Sequence, residues 1–164
     1  EKRPGARVFE WGSGASTVWL SKRSGSVISI EHDGKWHAFL EPKIGPLANV
    51  ETRLILPALP TAQQPATLSR KPGWADLDFT DYASAIGNTA GTFDLIVIDG
   101  RVRGACLEQA AGALSDGGVI VFDNSHRARY RRAIYQSGLE QARLRGLTPS
   151  LPYPDETTLL TRRR

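Results

Sequence analysis

The segment that most constrains the fold is Phe93–Ile98, the most apolar run in the chain. Its hydrophobic residues follow one another almost without interruption, and they do not alternate with polar residues. This pattern indicates a strand buried on both faces, as in the centre of a parallel sheet covered by helices. The chain is 40% hydrophobic and 23% charged, which is typical of a globular protein and argues against disorder.

Short β-rich segments alternate with helical stretches along the rest of the chain, which favours parallel strands joined by crossover helices. Further strands are predicted at 7–10, 26–30, 50–56, 119–122, 141–147 and 156–161, and helices at 16–23, 35–40, 102–114 and 127–138. A long proline-containing loop is predicted from Pro57 to Gly73, and Trp19 and Trp36 are expected to pack their helices on the sheet. The predicted fold is α/β: a doubly wound, mostly parallel seven-stranded sheet with helices on both faces and an antiparallel terminal hairpin.

The length of 164 residues fits one domain, so residues 1–164 are interpreted as a single domain. The sequence contains no methionine, which predicts that the chain is trimmed at its N-terminus. No run of apolar residues is long enough to predict a membrane span. Cys106 is the only cysteine, which excludes an intrachain disulfide and favours a cytoplasmic location. The oligomeric state is not predictable from the sequence.

Polar residues gather where four of the predicted strands end. They are Glu10, Glu31, Asp99 and the pair Asp123-Asn124. In an open parallel sheet, ligands bind beyond the carboxyl ends of the strands, so these residues predict a binding site at that edge.

The segment from Glu10 to Thr17 is the most specific feature of this predicted site. Gly12 permits a tight turn after the first strand, and Gly14 lets a ligand approach the backbone closely. Glu31 follows at the end of the next strand, where it can accept hydrogen bonds from both hydroxyls of a ribose. This context predicts an adenosine-type ligand.

The sequence resembles the class I S-adenosylmethionine (SAM)-dependent methyltransferases. The resemblance rests on four segments that cover most of the chain: 8–17, 30–32, 93–100 and 117–124. It implies methyl transfer with SAM as cofactor, the glycine segment holding the methionine portion, Glu31 the ribose and His32 the adenine. The implied cofactor-binding residues are Glu10, Gly12, Ser13, Gly14, Ser16, Thr17, Glu31, His32 and Asp99.

Three oxygen donors, Asp99, Asp123 and Asn124, predict a Mg²⁺ site between two neighbouring strands. The arrangement is similar to that of metal-dependent catechol-type O-methyltransferases and implies O-methylation. That family has a lysine base three residues after the first aspartate, where this chain has Val102. Asp99 and His126 are the candidate catalytic residues.

The acceptor is expected to be a small molecule. Arg101, Arg103, Arg127 and Arg129 lie near the predicted cleft and favour an anionic acceptor. No known nucleic-acid-binding module accompanies these charges, so nucleic acid is not the expected partner. Two alternatives remain: an oxidoreductase using a nicotinamide dinucleotide, whose third glycine is replaced here by Thr17, and a module that binds an adenosine ligand without catalysis.

Overall fold

A computed structural model of the protein describes residues 2–61, 66–147 and 152–163. The strands are β1 (Arg3–Trp11), β2 (Ser24–Glu31), β3 (Val50–Leu54), β4 (Phe93–Ile98), β5 (Leu114–Phe122), β6 (Glu140–Gly146) and β7 (Asp155–Thr161). The helices are α1 (Ala15–Ser21), α2 (Gly34–Ile44), α3 (Thr80–Ser84), α4 (Arg103–Ala113) and α5 (Ala128–Gln136). Among these described helices, none has the length and apolar character that a membrane crossing requires.

The strands form one sheet in the order β3-β2-β1-β4-β5-β7-β6. Strands β1 to β5 pair in parallel, whereas β7 runs antiparallel to both β5 and β6. The predicted doubly wound sheet and its terminal hairpin are therefore confirmed. Because the parallel strands share one direction, the ends of β1, β2, β4 and β5 lie at the same edge of the sheet.

Hydrophobic side chains cover both faces of the sheet. On one face, residues of α3, α4 and α5 pack against the alternate side chains of β1 and β4, with Phe9, Ile96 and Leu107 fully buried. On the other face, Leu20 of α1 packs against Val27 of β2 and its neighbours. The continuous apolar sequence of β4 thus reflects burial on both faces, as expected.

Three element boundaries differ from the sequence-based expectation by four or more residues: β1 begins at Arg3, and the other two are the start of β5 and the end of α2. Strand β5 begins at Leu114, directly after α4, since Leu114 is buried and pairs with Phe93. The pair of glycines predicted to precede this strand lies within it, where Gly117 has a φ of +74° and the register shifts. Such an irregularity is a bulge that glycine accommodates easily. Helix α2 continues through Pro42 to Ile44, whose complete burial outweighs one lost hydrogen bond.

The segment after β3 is the part of the chain that the sequence predicted least well. Its described residues form short bridges, Ala58 with Asp78 and Leu68 with Asp78, and then the short helix α3, which was not predicted. Residues 62–65 of the predicted loop, and 148–151 of the hairpin connection, lie outside the described residues. Trp19 and Trp36 are both about half exposed, so the expectation that they pack on the sheet is wrong.

Candidate functional site

The ends of β1, β2 and β4 bring three carboxyl groups together. Glu10 is the last residue but one of β1, Glu31 ends β2, and Asp99 directly follows β4. Burial is the main cause of the raised pKa of Glu10, and the charge of Glu31 adds to it. Glu10 in turn contributes to the raised pKa of Asp99, after the larger effects of burial and Asp123. This edge of the sheet therefore carries concentrated negative charge.

Glu10 lies completely buried beneath the turn that follows β1. Its Oε2 accepts hydrogen bonds from Thr17 Oγ1 at 2.5 Å and from Ser29 Oγ at 2.7 Å. Ser16, together with Thr17 and Ser29, opposes the rise in the pKa of this carboxyl. Oε1 is buried and has no hydrogen-bond partner among the described residues. One oxygen of Glu10 thus holds the turn, and the other retains its capacity to accept.

The glycine turn (residues 12–14) contains two glycines with different structural roles. Gly12 has a φ of +100°, and a Cβ there would lie 2.9 Å from the backbone nitrogen of Gly100. The fold of the chain itself therefore requires glycine at this position. Gly14 has a φ of 179°, which any residue adopts, and a Cβ there would meet no described atom within 4 Å. Nothing in the described structure requires glycine at position 14.

Hydrogen bonds to the strands fix the glycine turn. Ser13 Oγ donates to Ser29 Oγ at 2.7 Å, because Ser29 uses its own proton toward Glu10. Gly14 N–H donates to Thr17 Oγ1 at 2.9 Å. Trp36 Nε1 donates to the carbonyl of Ser13 at 2.8 Å. Trp36 thus supports the site from α2, a role that no local sequence signal indicates.

Glu31 is almost fully buried, and its carboxylate organises the end of β2. Oε1 accepts the backbone N–H groups of His32 at 2.8 Å and Asp33 at 2.9 Å, and Oε2 accepts that of Ser13 at 3.2 Å. Burial alone would raise the pKa of Glu31, but the hydrogen bonds from His32 and Asp33 outweigh burial and lower it. A carboxylate offers about four acceptor positions, so Oε2 has capacity for a further donor.

His32 lies in a cluster of aromatic rings next to Glu31. Its Nδ1 is 2.8 Å from Glu31 Oε1. Its ring meets Trp74 edge-on at 4.7 Å between centroids, and Phe79 and Tyr82 lie at 5.6 Å. These contacts place His32 at the β2 side of the site, with Trp74 as its most exposed neighbour.

Asp99 and Asp123, which follow β4 and β5, share one arginine. Arg103 Nη2 lies 2.6 Å from Asp99 Oδ1, and Arg103 Nη1 lies 3.4 Å from Asp123 Oδ2. Arg103 also donates to the backbone carbonyls of both aspartates. Burial raises the pKa of Asp99 to about 6; Arg103 opposes the rise and Asp123 adds to it. This role of Arg103 was not predicted, since the sequence placed Arg103 near the cleft only as one of four arginines.

The donor set predicted for Mg²⁺ does not fit a metal ion. The guanidinium of Arg103 lies between the two carboxylates, and Asp123 Oδ1 accepts from Thr157 at 2.9 Å. Asn124, with a φ of +49°, uses its amide to donate to Asp155. No group of three or more acidic, histidine or cysteine side chains suited to a metal occurs among the described residues. The positive charge between these strands comes from the chain itself.

A cavity of about 630 Å³, here called the basic pocket, opens beside Asp99. It lies between the loop after β4, residues 67–72 and the beginning of α5. Its cationic lining residues are Arg70, Lys71, Arg101, Arg103, Arg127 and Arg129. The four arginines expected near the cleft are therefore brought together. Arg70 and Lys71 join them from the segment predicted as a loop.

His126 lies apart from the basic pocket. Its Nδ1 is 2.9 Å from Asp155 Oδ1, and it lines a separate depression with Glu156 and Thr158 near β7. The structure therefore brings Asp99, Asp123 and Asn124 close to one another but directs His126 to another surface.

Solved structures similar to this chain are methyltransferases. N-methyltransferase NodS from Bradyrhizobium japonicum, in complex with S-adenosyl-L-homocysteine (SAH), matches with 15% identity and a TM-score of 0.62, covering 97% of this chain and 79% of that chain. An rRNA methylase from Streptococcus thermophilus matches with 11% identity and a TM-score of 0.64, covering 99% of this chain and 90% of that chain. A methyltransferase-like protein from Silicibacter pomeroyi matches with 23% identity and a TM-score of 0.57, covering 96% of this chain and 79% of that chain.

These similarities show that the chain has the fold of class I SAM-dependent methyltransferases. No protein-family model and no curated protein sequence matches it. At these identities the likeness extends to the fold, and function has to be inferred from the site.

Proposed function

We propose that the protein is a SAM-dependent methyltransferase that binds the methionine portion of SAM along the glycine turn and the ribose on Glu31. The observation that carries this proposal is Gly14. Its φ and its open surroundings give the chain no reason of its own for glycine there, whereas close approach of a ligand to the backbone does. SAH bound to the similar NodS fold supports the same ligand class.

The charges at this edge support a cationic cofactor. SAM carries a sulfonium and an ammonium group, and Glu10, Glu31 and Asp99 concentrate negative charge at the ends of three neighbouring strands. Oε1 of Glu10, which has no hydrogen-bond partner among the described residues, is available to an ammonium group. Oε2 of Glu31 is available to a ribose hydroxyl.

Asp99 is the candidate general base. Its side chain is 47% exposed, and a pKa of about 6 leaves it ionised near neutral pH yet basic enough to accept a proton. Bound SAM would supply an electrophilic methyl group on its sulfonium sulfur, and SAH would be the leaving group. Asp99 takes the proton that the acceptor oxygen or nitrogen loses as it gains the methyl group. Arg103 orients this carboxylate. His126, near β7, has no part in this proposal, and neither does a resident Mg²⁺.

Calorimetric titration with SAM, SAH, NAD and NADP tests the proposal. SAM and SAH are expected to bind and the dinucleotides are not. Gly14→Ala should weaken SAM binding about tenfold, while Glu31→Ala should weaken it about tenfold to a hundredfold because a charge-assisted hydrogen bond is lost. Stronger binding of NAD than of SAM would contradict the assignment.

Gly112→Ala is the matched control for Gly14→Ala. A Cβ at Gly112 would also meet no described atom within 4 Å, but Gly112 lies in α4, away from the glycine turn. The control variant should bind SAM as the unmodified protein does, and it should be at least as stable, since alanine replaces glycine within a helix. If Gly14→Ala behaved in the same way, the glycine turn would not be the SAM site.

A further inference from the structure

The basic pocket has more positive charge than the described chain neutralises. Of its cationic residues, Arg103 is paired with Asp99 and Asp123. The other five cationic residues form no ion pair with any described residue. They are Arg70, Lys71, Arg101, Arg127 and Arg129. No acidic residue is among the described residues that line the pocket. Converging like charges repel one another, so an anion bound among them would be stabilised.

Arg101 is the cationic residue of the basic pocket that most clearly lacks a partner. Its Nε is buried and makes no hydrogen bond to a described residue. Burial lowers the pKa of Arg101; Tyr82 and the charge of Glu31 oppose this effect, and the charge of Arg103 adds to it. A buried N–H group without a hydrogen-bond partner is costly, and an oxyanion that accepts from Nε of Arg101 would remove that cost.

Two arginines outside the basic pocket show how this chain can satisfy a guanidinium group. Arg7 donates to the carbonyls of Thr92 and Ala90, and Arg53 pairs with Glu51 at 2.7 Å. Arg131 and Arg132 of α5 also form no ion pair with a described residue, but neither lines the basic pocket. What distinguishes the basic pocket is that five such cationic groups line one cavity.

The shape of the basic pocket favours a small molecule over RNA. Its volume of about 630 Å³ is in the range of small-molecule sites. RNA-binding surfaces usually present aromatic rings on which bases stack. The one aromatic residue among the described lining residues is Tyr130, which is buried.

We propose that the basic pocket binds the methyl acceptor, and that the acceptor is a small molecule with a phosphoryl or carboxylate group held by Arg101 and Arg127. The loop after β4 supports this placement, because Gly100 and Arg101 line the pocket and directly follow Asp99. An acceptor anchored there would present its nucleophile to that carboxylate. This inference rests on the proposed methyltransferase function.

Calorimetry on the SAH-saturated protein tests the inference with three probes: pyrophosphate, citrate and a twelve-nucleotide single-stranded RNA. Pyrophosphate or citrate should bind without displacing SAH, and the tighter of the two identifies the anionic group. Arg101→Gln and Arg127→Gln should each weaken that binding about tenfold, as expected for the loss of one charged hydrogen bond.

Arg132→Gln is the matched control. Arg132 is an exposed arginine of α5 that does not line the basic pocket, so the same change of charge there should leave binding unchanged. Equal weakening by all three substitutions would indicate a general charge effect and overturn the site.

The outcomes separate this inference from the proposed function. If SAH binds but neither small anion does, or if an anion displaces SAH, the acceptor site is wrong and the SAM site stands. If RNA binds more tightly than both anions and depends on Arg127, the small-molecule acceptor is wrong. If SAH does not bind at all, both proposals fail, even where an anion occupies the pocket.

Discussion

The edge of the sheet where the parallel strands end has two halves that differ in how their charged groups are paired. In the first half, at the ends of β1 and β2, buried carboxylates are satisfied by the hydroxyls and backbone N–H groups of the chain, as at Glu10 and Glu31. In the second half, at the ends of β4 and β5, Arg103 forms ion pairs with both Asp99 and Asp123. Five further cationic groups line the basic pocket there and have no ionic partner among the described residues.

This difference in charge fits the proposal that the two halves bind different ligands. A half with surplus negative charge suits a cationic methyl donor, and a neighbouring half with surplus positive charge suits an anionic acceptor. The first half is organised by short-range hydrogen bonds around the glycine turn, whereas the second depends on segments that are distant in sequence, such as Lys71 and Arg127. The predictions below test whether the two halves differ in this way.

Gly12→Ala should give the largest loss of stability. The substitution combines an unfavourable φ of +100° with a Cβ only 2.9 Å from Gly100 N. Strain and overpacking together should lower the free energy of unfolding by about 2–4 kcal/mol. Urea denaturation measures this loss, and Gly14→Ala, in the same turn, should stay within about 0.5 kcal/mol of the unmodified protein. Equal losses at both positions would mean that the chain itself requires both glycines.

Arg103→Gln should destabilise the second half of the edge by about 1.5–3 kcal/mol, since hydrogen bonds to two charged groups are weakened. Without the guanidinium, the carboxylates of Asp99 and Asp123 repel each other, and the pKa of Asp99 rises further. The loss should therefore be larger at pH 8 than at pH 5. Denaturation at both pH values checks this, with Arg132→Gln as the control of equal charge. A loss that is independent of pH would show that Arg103 does not hold the two carboxylates.

Asp99→Asn should change how stability depends on pH. The pKa of Asp99 is raised from 3.8 to about 6, so the folded protein binds this proton more tightly than the unfolded chain does. The associated stability is present below about pH 4 and is lost as the pH rises through 6. Because the side chain is half exposed, the asparagine variant should gain only about 1 kcal/mol relative to the unmodified protein between pH 4 and pH 8.

The measurement is the difference in unfolding free energy between the two proteins at each pH. A constant difference from pH 4 to pH 8 would show that Asp99 titrates normally. In that case its role as the general base would lose its physical support.

Mg²⁺ should produce the smallest effect, because Arg103 already supplies the charge between the carboxylates. Calorimetric titration at millimolar Mg²⁺ should give no binding heat with the unmodified protein. Arg103→Gln, which removes the competing cation, should bind Mg²⁺ weakly. Binding by the unmodified protein that disappears in Asp123→Ala would restore the metal site expected from the sequence.

The sequence predicts the first half of the edge better than the second. The spacing of Gly12, Gly14 and Glu31 between a strand and a helix is a local signal, and the structure brings these residues together at the expected place. Their hydrogen bonds also run mainly between residues close in sequence or on paired strands.

The second half depends on side-chain directions and tertiary packing that no local pattern determines. Asp99 and Asp123 were located at the correct strand ends, but their partner is Arg103 and not a metal. Arg70 and Lys71 reach the basic pocket because residues 67–72 pack near the loop after β4. Likewise, the exposed position of Trp36 and its bond to Ser13 follow from the orientation of α2 and not from its composition.

The most direct test of the account is a crystal structure of the complex with SAH. The ribose hydroxyls should lie within hydrogen-bonding distance of Glu31, and the homocysteine portion should run along the backbone of Ser13 and Gly14. The basic pocket should remain accessible beside it. SAH bound in the basic pocket, or with its ribose away from Glu31, would contradict the assignment of the first half to the methyl donor.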